Sequence, residues 1–336
     1  MAIEFSIVIP TINSMGVIEP LVKALVAQEF AYEFEVIFMD SCSTDGTFEY
    51  LCNTRFENKQ IVTVPAGQFS HSGTRMDAAR LAKGRYVIYF THDIVPIGRD
   101  FLTQLTNPVL SGLAPASYGV FQIDPATSDP IDAYLHNSWY EEIADIVGPV
   151  SQFCWEQFPP HLRRRLSNFD DCASCIDREL LLQLEFPDVP YGEDMLFAKR
   201  LLLNGHQIAL AKNARFHHWH KVSFAYLMKR MCIDQHLSIE EFDLYYVRRK
   251  VGVLKAICLR VLQRTWIAFL RLQIPLSQKI YWTRYNIKVL TADFLGKYIG
   301  SLDVGNVSRY DLIDQKLLKV KSEILKEIDT HSIGRY

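Results

Sequence analysis

The chain predicts an α/β fold: a mostly parallel central sheet flanked by helices, followed by a helical C-terminal extension. Three observations carry that prediction. Short apolar runs rich in β-branched residues alternate with helix-like stretches as far as Phe90, the rhythm of a sheet covered on both faces. Carboxylates fall directly after or close behind two of those runs, at Asp40 and Asp93, and ligands of such sheets gather at the carboxyl ends of strands. Beyond Phe224 the spacing is helical to the end, with no internal repeat and no low-complexity tract.

Taken in order, Phe5 to Pro10 is the first strand, and turn residues separate it from an apolar-periodic helix near Ile18 to Gln28. Phe34 to Met39 is the second strand and ends at Asp40. The turn Ser41-Cys42-Ser43-Thr44-Asp45-Gly46-Thr47 can cap the helix that carries Phe48, Tyr50 and Leu51. Ile61 to Val64, a helix around Arg75 to Ala82, and Tyr86 to Phe90 continue the alternation. From Asn107 to Ser167 the pattern is irregular, and stretches of that length are usually functional or mobile. Alternation returns from Cys172 to His220. This places a sheet-based unit at residues 1–225 and a helical extension at 226–336.

A hydrophobic content of 49% against 22% charged residues, over 336 residues, supports a sizeable core and excludes wholesale disorder. The net charge of −2 conceals an asymmetry. Between Tyr245 and Gly300 eleven basic residues face one acid, Asp293, so that segment carries +10 and the remainder −12. The seven cysteines lack framework spacing. Cys172-x-x-Cys175 has no second pair to complete a zinc ribbon, so reduced thiols are expected. There is no basic leader, Pro10 interrupts the first apolar run, and no uncharged run of about 18 residues occurs, so neither a signal peptide nor a membrane span is expected.

Three groupings bear chemistry. Asp40 at a strand end can accept hydrogen bonds from a pyrimidine N–H or a ribose hydroxyl, whereas no G-x-G-x-x-G offers a dinucleotide cradle. Thr91-His92-Asp93 follows the run Tyr86–Phe90, and His217-His218-Trp219-His220 closes a later extended segment. Tyr191-Gly192-Glu193-Asp194 opens a helix-like run from Met195 to Asn204. Acids at strand ends together with a histidine pair suit a divalent cation and a general base.

In that order, S-I-V-I-P-T-I-N, F-M-D-S-C-S-T-D-G-T, F-T-H-D, Y-G-E-D and H-H-W-H resemble family 2 glycosyltransferases of the GT-A fold. Phe69 to Arg75, Tyr118 to Gln122, Asp129-Pro130 and Ser167-Asn168 resemble its rhamnosyltransferase-like branch. The resemblance covers about residues 3 to 225. It implies inverting transfer from a nucleotide sugar with Mg²⁺ or Mn²⁺. Carried over, Pro10, Thr11, Asn13 and Asp40 hold base and ribose, and Ser43, His71, Gly73, Thr74, Arg75 and His92 join the nucleotide-sugar site. Asp93 meets the metal, His218 and His220 reach the metal or phosphates, and Asp194 activates the acceptor hydroxyl with Glu193 beside it. Departures lie at Ser72-Gly73-Thr74-Arg75-Met76, Thr91-His92-Asp93-Ile94 and Val120, close to the expected donor and acceptor surfaces. Gln263-Arg264-Thr265-Trp266 does not match the Q-x-x-R-W spacing of processive synthases, so single additions are expected.

The implied activity is transfer of a hexosyl-type sugar, foremost rhamnose from dTDP-rhamnose, to a hydroxyl of a lipid-linked or oligosaccharide acceptor of a surface polysaccharide. The alternatives are a UDP-hexose or UDP-N-acetylhexosamine donor, and from another class a metal-dependent phosphohydrolase or a nucleotide-binding scaffold. On a helical wheel Arg249, Arg260, Arg264 and Arg271 form one stripe beside an apolar face containing Trp266, the pattern of a helix lying on anionic lipid. The expected location is cytoplasmic, peripheral on the inner face of the plasma membrane. No nucleic-acid module is visible, and the oligomeric state stays open.

Overall fold

In the computed structural model, residues 3–65, 67–137, 143–189, 191–305 and 310–329 are described. The last residues of the expected extension, 330–336, lie outside them. The chain divides into two units. The first comprises residues 1–122, 137–158 and 165–218, and the second 123–136, 159–164 and 219–336.

Among the described residues, the first unit is built on a GT-A-like mixed sheet of nine strands flanked by helices. The strands are β1 (Phe5–Thr11), β2 (Phe34–Asp40), β3 (Lys59–Thr63), β4 (Tyr86–Phe90), β5 (Val95–Pro96), β6 (Ala116–Gln122), β7 (Ile146–Val147), β8 (Ala173–Asp177) and β9 (Ile208–His217). Their order is β3-β2-β1-β4-β8-β6-β9-β5, with β7 also on β9. β1, β2, β3 and β4 run parallel, and burial within the sheet accounts for the near-continuous apolar sequences of β1, β2 and β4: Ile7, Val8, Ile9, Val36, Ile37, Phe38, Ile88 and Phe90 are fully buried. Helices α1 (Ile18–Val26), α2 (Thr47–Cys52), α3 (His71–Leu81), α4 (Phe101–Leu110), α8 (Arg178–Leu184) and α9 (Glu193–Leu203) belong to this unit. The expected strands at the start of the chain and the helix after Glu193 are all present.

Two strands depart from the expected layout. β6 lies in the middle of the sheet, inside the stretch whose sequence is irregular. Ser117 breaks its apolar pattern but is fully buried, and its hydroxyl donates to the Leu105 carbonyl at 2.6 Å. That hydrogen bond removes the cost of burying a polar side chain. β8 runs antiparallel to both β4 and β6, so the sheet is mixed from its centre onward. Cys175 sits within β8 as a buried thiol, in keeping with the expected reduced cysteines.

The second unit contains α5 (Pro130–His136), α10 (Phe224–Phe242), α11 (Lys250–Leu270), α12 (Leu276–Ser301) and α13 (Leu312–Asp329). Helices α6 (Gln152–Gln157) and α7 (Pro160–Leu166) complete the chain. Ile131, Ile267 and Ala268 form one apolar cluster of this unit, and Tyr298, Leu302 and Leu318 another. A buried polar network ties its segments together. Asn286 Nδ2 donates to Asp129 Oδ2 at 2.7 Å, and Arg264 pairs with both Asp132 and Asn286. Arg264 therefore turns inward and does not belong to the expected outward arginine stripe. Burial and the nearby Asp132 push the Asp129 carboxyl up to about 6. No helix among the described residues is long and apolar enough to cross a membrane.

Candidate functional site

The parallel strands end on one edge, and their last residues build the first part of the site. Thr11 Oγ1 donates to Asp40 Oδ1 at 3.1 Å, Ser43 Oγ to the same oxygen at 2.6 Å, and the Ser43 N–H to Asp40 Oδ2 at 2.9 Å. The Asn13 N–H donates to Ser43 Oγ at 2.9 Å, and Asn13 Oδ1 accepts from the Thr44 N–H at 2.8 Å. Asn13 and Cys42 take left-handed backbone angles, φ 43° and 55°, which such turns tolerate in asparagine far better than in most residues. The structure thus brings Thr11, Asn13, Asp40 and Ser43 together. Asp40 is almost wholly buried and organises the two turns, keeping lone pairs to spare on its carboxylate. His92 joins this group: with Nδ1 protonated, it donates to the Pro10 carbonyl at 3.3 Å.

Asp93 follows from sheet register. Antiparallel pairing sets Val95 opposite His217, so the residues just before Val95 lie beside those just after His217. Asp93 Oδ1 stands 3.5 Å from His218 Nε2, with the Asp93 side chain 4% exposed. That separation exceeds a hydrogen bond. It approaches the spacing of about 3 Å between neighbouring oxygen or nitrogen donors on an octahedral cation with bonds near 2.1 Å. A carboxylate and an imidazole at this distance fit a divalent cation of the Mg²⁺ or Mn²⁺ kind. His218 is braced by Phe121, edge to face at 5.9 Å, and its N–H donates to the Gln122 carbonyl. His220, two residues further on, belongs to the second unit.

The third part lies at the start of α9. Gly192, at φ 76°, lets the chain turn into the helix, and Glu193 and Asp194 occupy the first turn, where the macrodipole favours acids. Arg75 is buried, with Nη1 2.7 Å from Glu193 Oε1 and Nε 3.0 Å from Asp171 Oδ2. Its Nη1 also donates to the His71 carbonyl, and its own carbonyl accepts from the buried Tyr89 hydroxyl. Burial pulls the Arg75 guanidinium down, but Asp171, Glu193 and Asp194 outweigh that and raise it. Burial, reinforced by Asp171 and Asp170, pushes Asp194 up to about 7. Glu193 and Asp171 are likewise raised by burial against the pull of Arg75. Two buried acids, Asp171 and Glu193, share one cation with the half-buried Asp194 close by, so the group holds a proton more readily than isolated carboxylates.

The candidates of the Phe69–Arg75 run lie around the start of α3. Arg75 faces the acid cluster. The Gly73 N–H caps α3 by donating to Ser70 Oγ, and Thr74 Oγ1 accepts from the Ser70 N–H while its side chain is buried. Of the Phe69–Arg75 candidates, His71 presents an exposed imidazole, its Nδ1 4.0 Å from Glu193 Oε1. Asp170, Asp171 and Tyr89 escaped the sequence reading, which sought acids at strand carboxyl ends. Because β8 is antiparallel, its amino end, opposite Phe90, supplies Asp170 and Asp171. Burial, then Asp170, Asp171 and Asp93, raise the Cys172 thiol well above its usual range, a mark of how closely these acids crowd one edge.

The chain is similar in part to known proteins. Over 94 residues the chain is 33% identical to the poly(ribitol-phosphate) beta-N-acetylglucosaminyltransferase TarS of Staphylococcus aureus, covering 27% of this chain and 16% of that protein. Over 107 residues it is 31% identical to the poly(ribitol-phosphate) beta-glucosyltransferase of Bacillus spizizenii, covering 31% of this chain and 17% of that one. The alignments thus span only about a sixth of the curated relatives' lengths. Among solved structures, S. aureus TarS 1-349 with UDP-GlcNAc superposes over 98% of this chain and 90% of its own, at 19% identity and TM-score 0.47. The mannosyltransferase PcManGT of Pyrobaculum calidifontis, solved with GDP-Man and Mn²⁺, covers 99% and 85% at 17% identity and TM-score 0.48. Residues 6–164 match the family model described as Glycosyl transferase family 2, which with the curated relatives supports a family 2 glycosyltransferase.

Proposed function

We propose that the chain is an inverting, single-addition glycosyltransferase that moves a sugar from a nucleotide sugar to an acceptor hydroxyl in surface-polymer synthesis. The observation that carries this reading is the juxtaposition of a raised carboxyl, Asp194, with a clustered Arg75 on the same sheet unit as the Asp93–His218 pair. Asp194 takes the proton of the acceptor hydroxyl as that oxygen bonds to the anomeric carbon. The bond from that carbon to the diphosphate oxygen breaks on the opposite face, inverting the centre. Thr11, Asn13, Asp40 and Ser43 hold base and ribose, with Pro10 and His92 bordering them. Asp93 and His218 hold the divalent cation, which when bound offsets charge on the departing diphosphate.

For the sugar, the Phe69–Arg75 run supports rhamnose from dTDP-rhamnose. The activities of the two bacterial relatives support an N-acetylglucosaminyl or glucosyl donor instead. The acceptor is lipid-linked or oligosaccharide, met by a membrane-peripheral protein on the cytoplasmic side. The test is a thermal-shift screen of dTDP-rhamnose, UDP-glucose and UDP-N-acetylglucosamine with and without Mn²⁺, followed by product analysis. A ligand at a hundred times its Kd stabilises by about 2.7 kcal/mol. Release of free sugar without acceptor would make the protein a hydrolase, and absence of any nucleotide-sugar shift would end the transferase reading.

A further inference from the structure

The α11–α12 hairpin presents an apolar face outward. Val251 is 78%, Leu262 67% and Leu270 69% exposed, and Leu254, Leu259 and Trp266 are exposed on the same helix. At 100° per residue these six side chains share an arc of roughly 160°. The tip adds Leu276 and Ile280 of α12. A monomeric protein seldom leaves so many large apolar side chains on one helix in water.

Cations sit on the rings of this face. The Arg271 guanidinium lies 4.7 Å from the Trp266 ring centre, and Lys279 Nζ 5.9 Å from that of Phe269. From Tyr245 to Ala292 there is no acidic residue. A second copy docked face to face would set two strongly basic hairpins against each other. An anionic bilayer accepts both features, since apolar side chains enter below the headgroups while arginine, lysine and tryptophan stay at that level.

We propose that α11 docks the protein on an anionic lipid surface by burying this apolar face, with Trp266 and Arg271 at the headgroup boundary. The inference deepens the membrane-peripheral reading above and changes its cause. Arg264 is engaged inside the unit, so apolar burial carries the attachment and charge selects the surface.

The test uses the whole chain and vesicles of phosphatidylcholine with 30% phosphatidylglycerol, beside vesicles of phosphatidylcholine alone. Wild-type protein is expected to co-sediment with the anionic vesicles. Brominated lipid should quench a component of its emission that Trp266→Phe removes. Leu262→Ser with Leu270→Ser, both exposed, should leave the melting temperature unchanged and weaken anionic-vesicle binding at least tenfold. No binding at low salt would overturn the membrane reading itself. Binding that survives the double substitution, or that shows no Trp266 quenching, would overturn the apolar docking alone. A dimer in sedimentation that the double substitution disperses would assign the face to a second copy.

Discussion

Arg75 Nη1 and Glu193 Oε1 stand 2.7 Å apart with both side chains buried, an ion pair that spans 118 positions of sequence. It anchors the start of α9 against α3 and thereby fixes the residue next along the helix, Asp194. Removing one partner of a buried pair typically costs about 3–5 kcal/mol, because the other charge is left uncompensated. Arg75→Met should therefore destabilise the protein by about that amount in chemical unfolding. Adding Glu193→Gln should recover part of the loss. Full additivity of the two substitutions would show that the pair is energetically uncoupled.

Asp194→Asn should lower kcat by about 10²–10⁴-fold with nucleotide-sugar binding retained, the usual contribution of a general base. Glu193→Gln should be milder in turnover. Near-normal kcat in the Asp194 variant would remove that residue from the chemistry.

The raised Asp194 carboxyl gives two pH signatures. A base near 7 must lose its proton to work, so kcat should climb through about pH 7 and level off above it. Stability runs the other way. The folded value lies above the ordinary 3.8, so the folded state binds the proton more tightly. The stabilisation is complete below about pH 4 and is lost as pH rises toward 7. Asp194→Asn should accordingly raise the melting temperature at pH 8 and change it little at pH 4. A flat rate profile between pH 5.5 and 8 would contradict the assignment.

Asp93 and His218 should bind a divalent cation measurably without substrate. Calorimetric titration with Mn²⁺ should lose affinity in Asp93→Asn and in His218→Ala, and excess chelator should abolish transfer in the wild type. Unchanged Mn²⁺ affinity in both variants would exclude the pair as ligands.

In the second unit, a Cβ added at Gly296 would meet the Met228 carbonyl oxygen at 2.3 Å, and one at Gly300 the Cys232 oxygen at 2.3 Å. Neither neighbour is a flexible side-chain end, so α10 and α12 must separate to admit a methyl group. Overpacking of this kind costs typically 1–3 kcal/mol. Gly296→Ala and Gly300→Ala should each lower stability by about that much while leaving Mn²⁺ binding intact. A neutral effect of both would show that the helices yield without penalty.

How far the sequence foretold this molecule depends on the range of the interaction. β1, β2 and β4 were legible because a strand buried on both faces writes an apolar run into consecutive residues. The turn chemistry around Asp40 was legible for the same reason, as its partners lie within a few positions or on the adjoining strand end. β6 was hidden by Ser117, whose burial makes sense only once the Leu105 carbonyl is beside it. The orientation of β8 is a matter of pairing, which local composition does not encode, and Asp170 and Asp171 went unnoticed with it. Arg75 illustrates the remaining difficulty. Its acid partners, Asp171 and Glu193, lie about a hundred positions further along the chain, so no local pattern announces them.

The pairing of Val95 with His217 also sets an order of events. Thr11, Asn13, Asp40 and Ser43 come from the first parallel strands and their turns, whereas the Asp93–His218 pair needs the last strand of the sheet. A chain still lacking β9 has the former contacts within reach and cannot have the latter. Loop-closure entropy delays a contact of such sequence separation further, even in the complete chain. The turn network around Asp40 can therefore form early in folding and the Asp93–His218 pair late, so the site as a whole is complete only after the whole sheet is assembled.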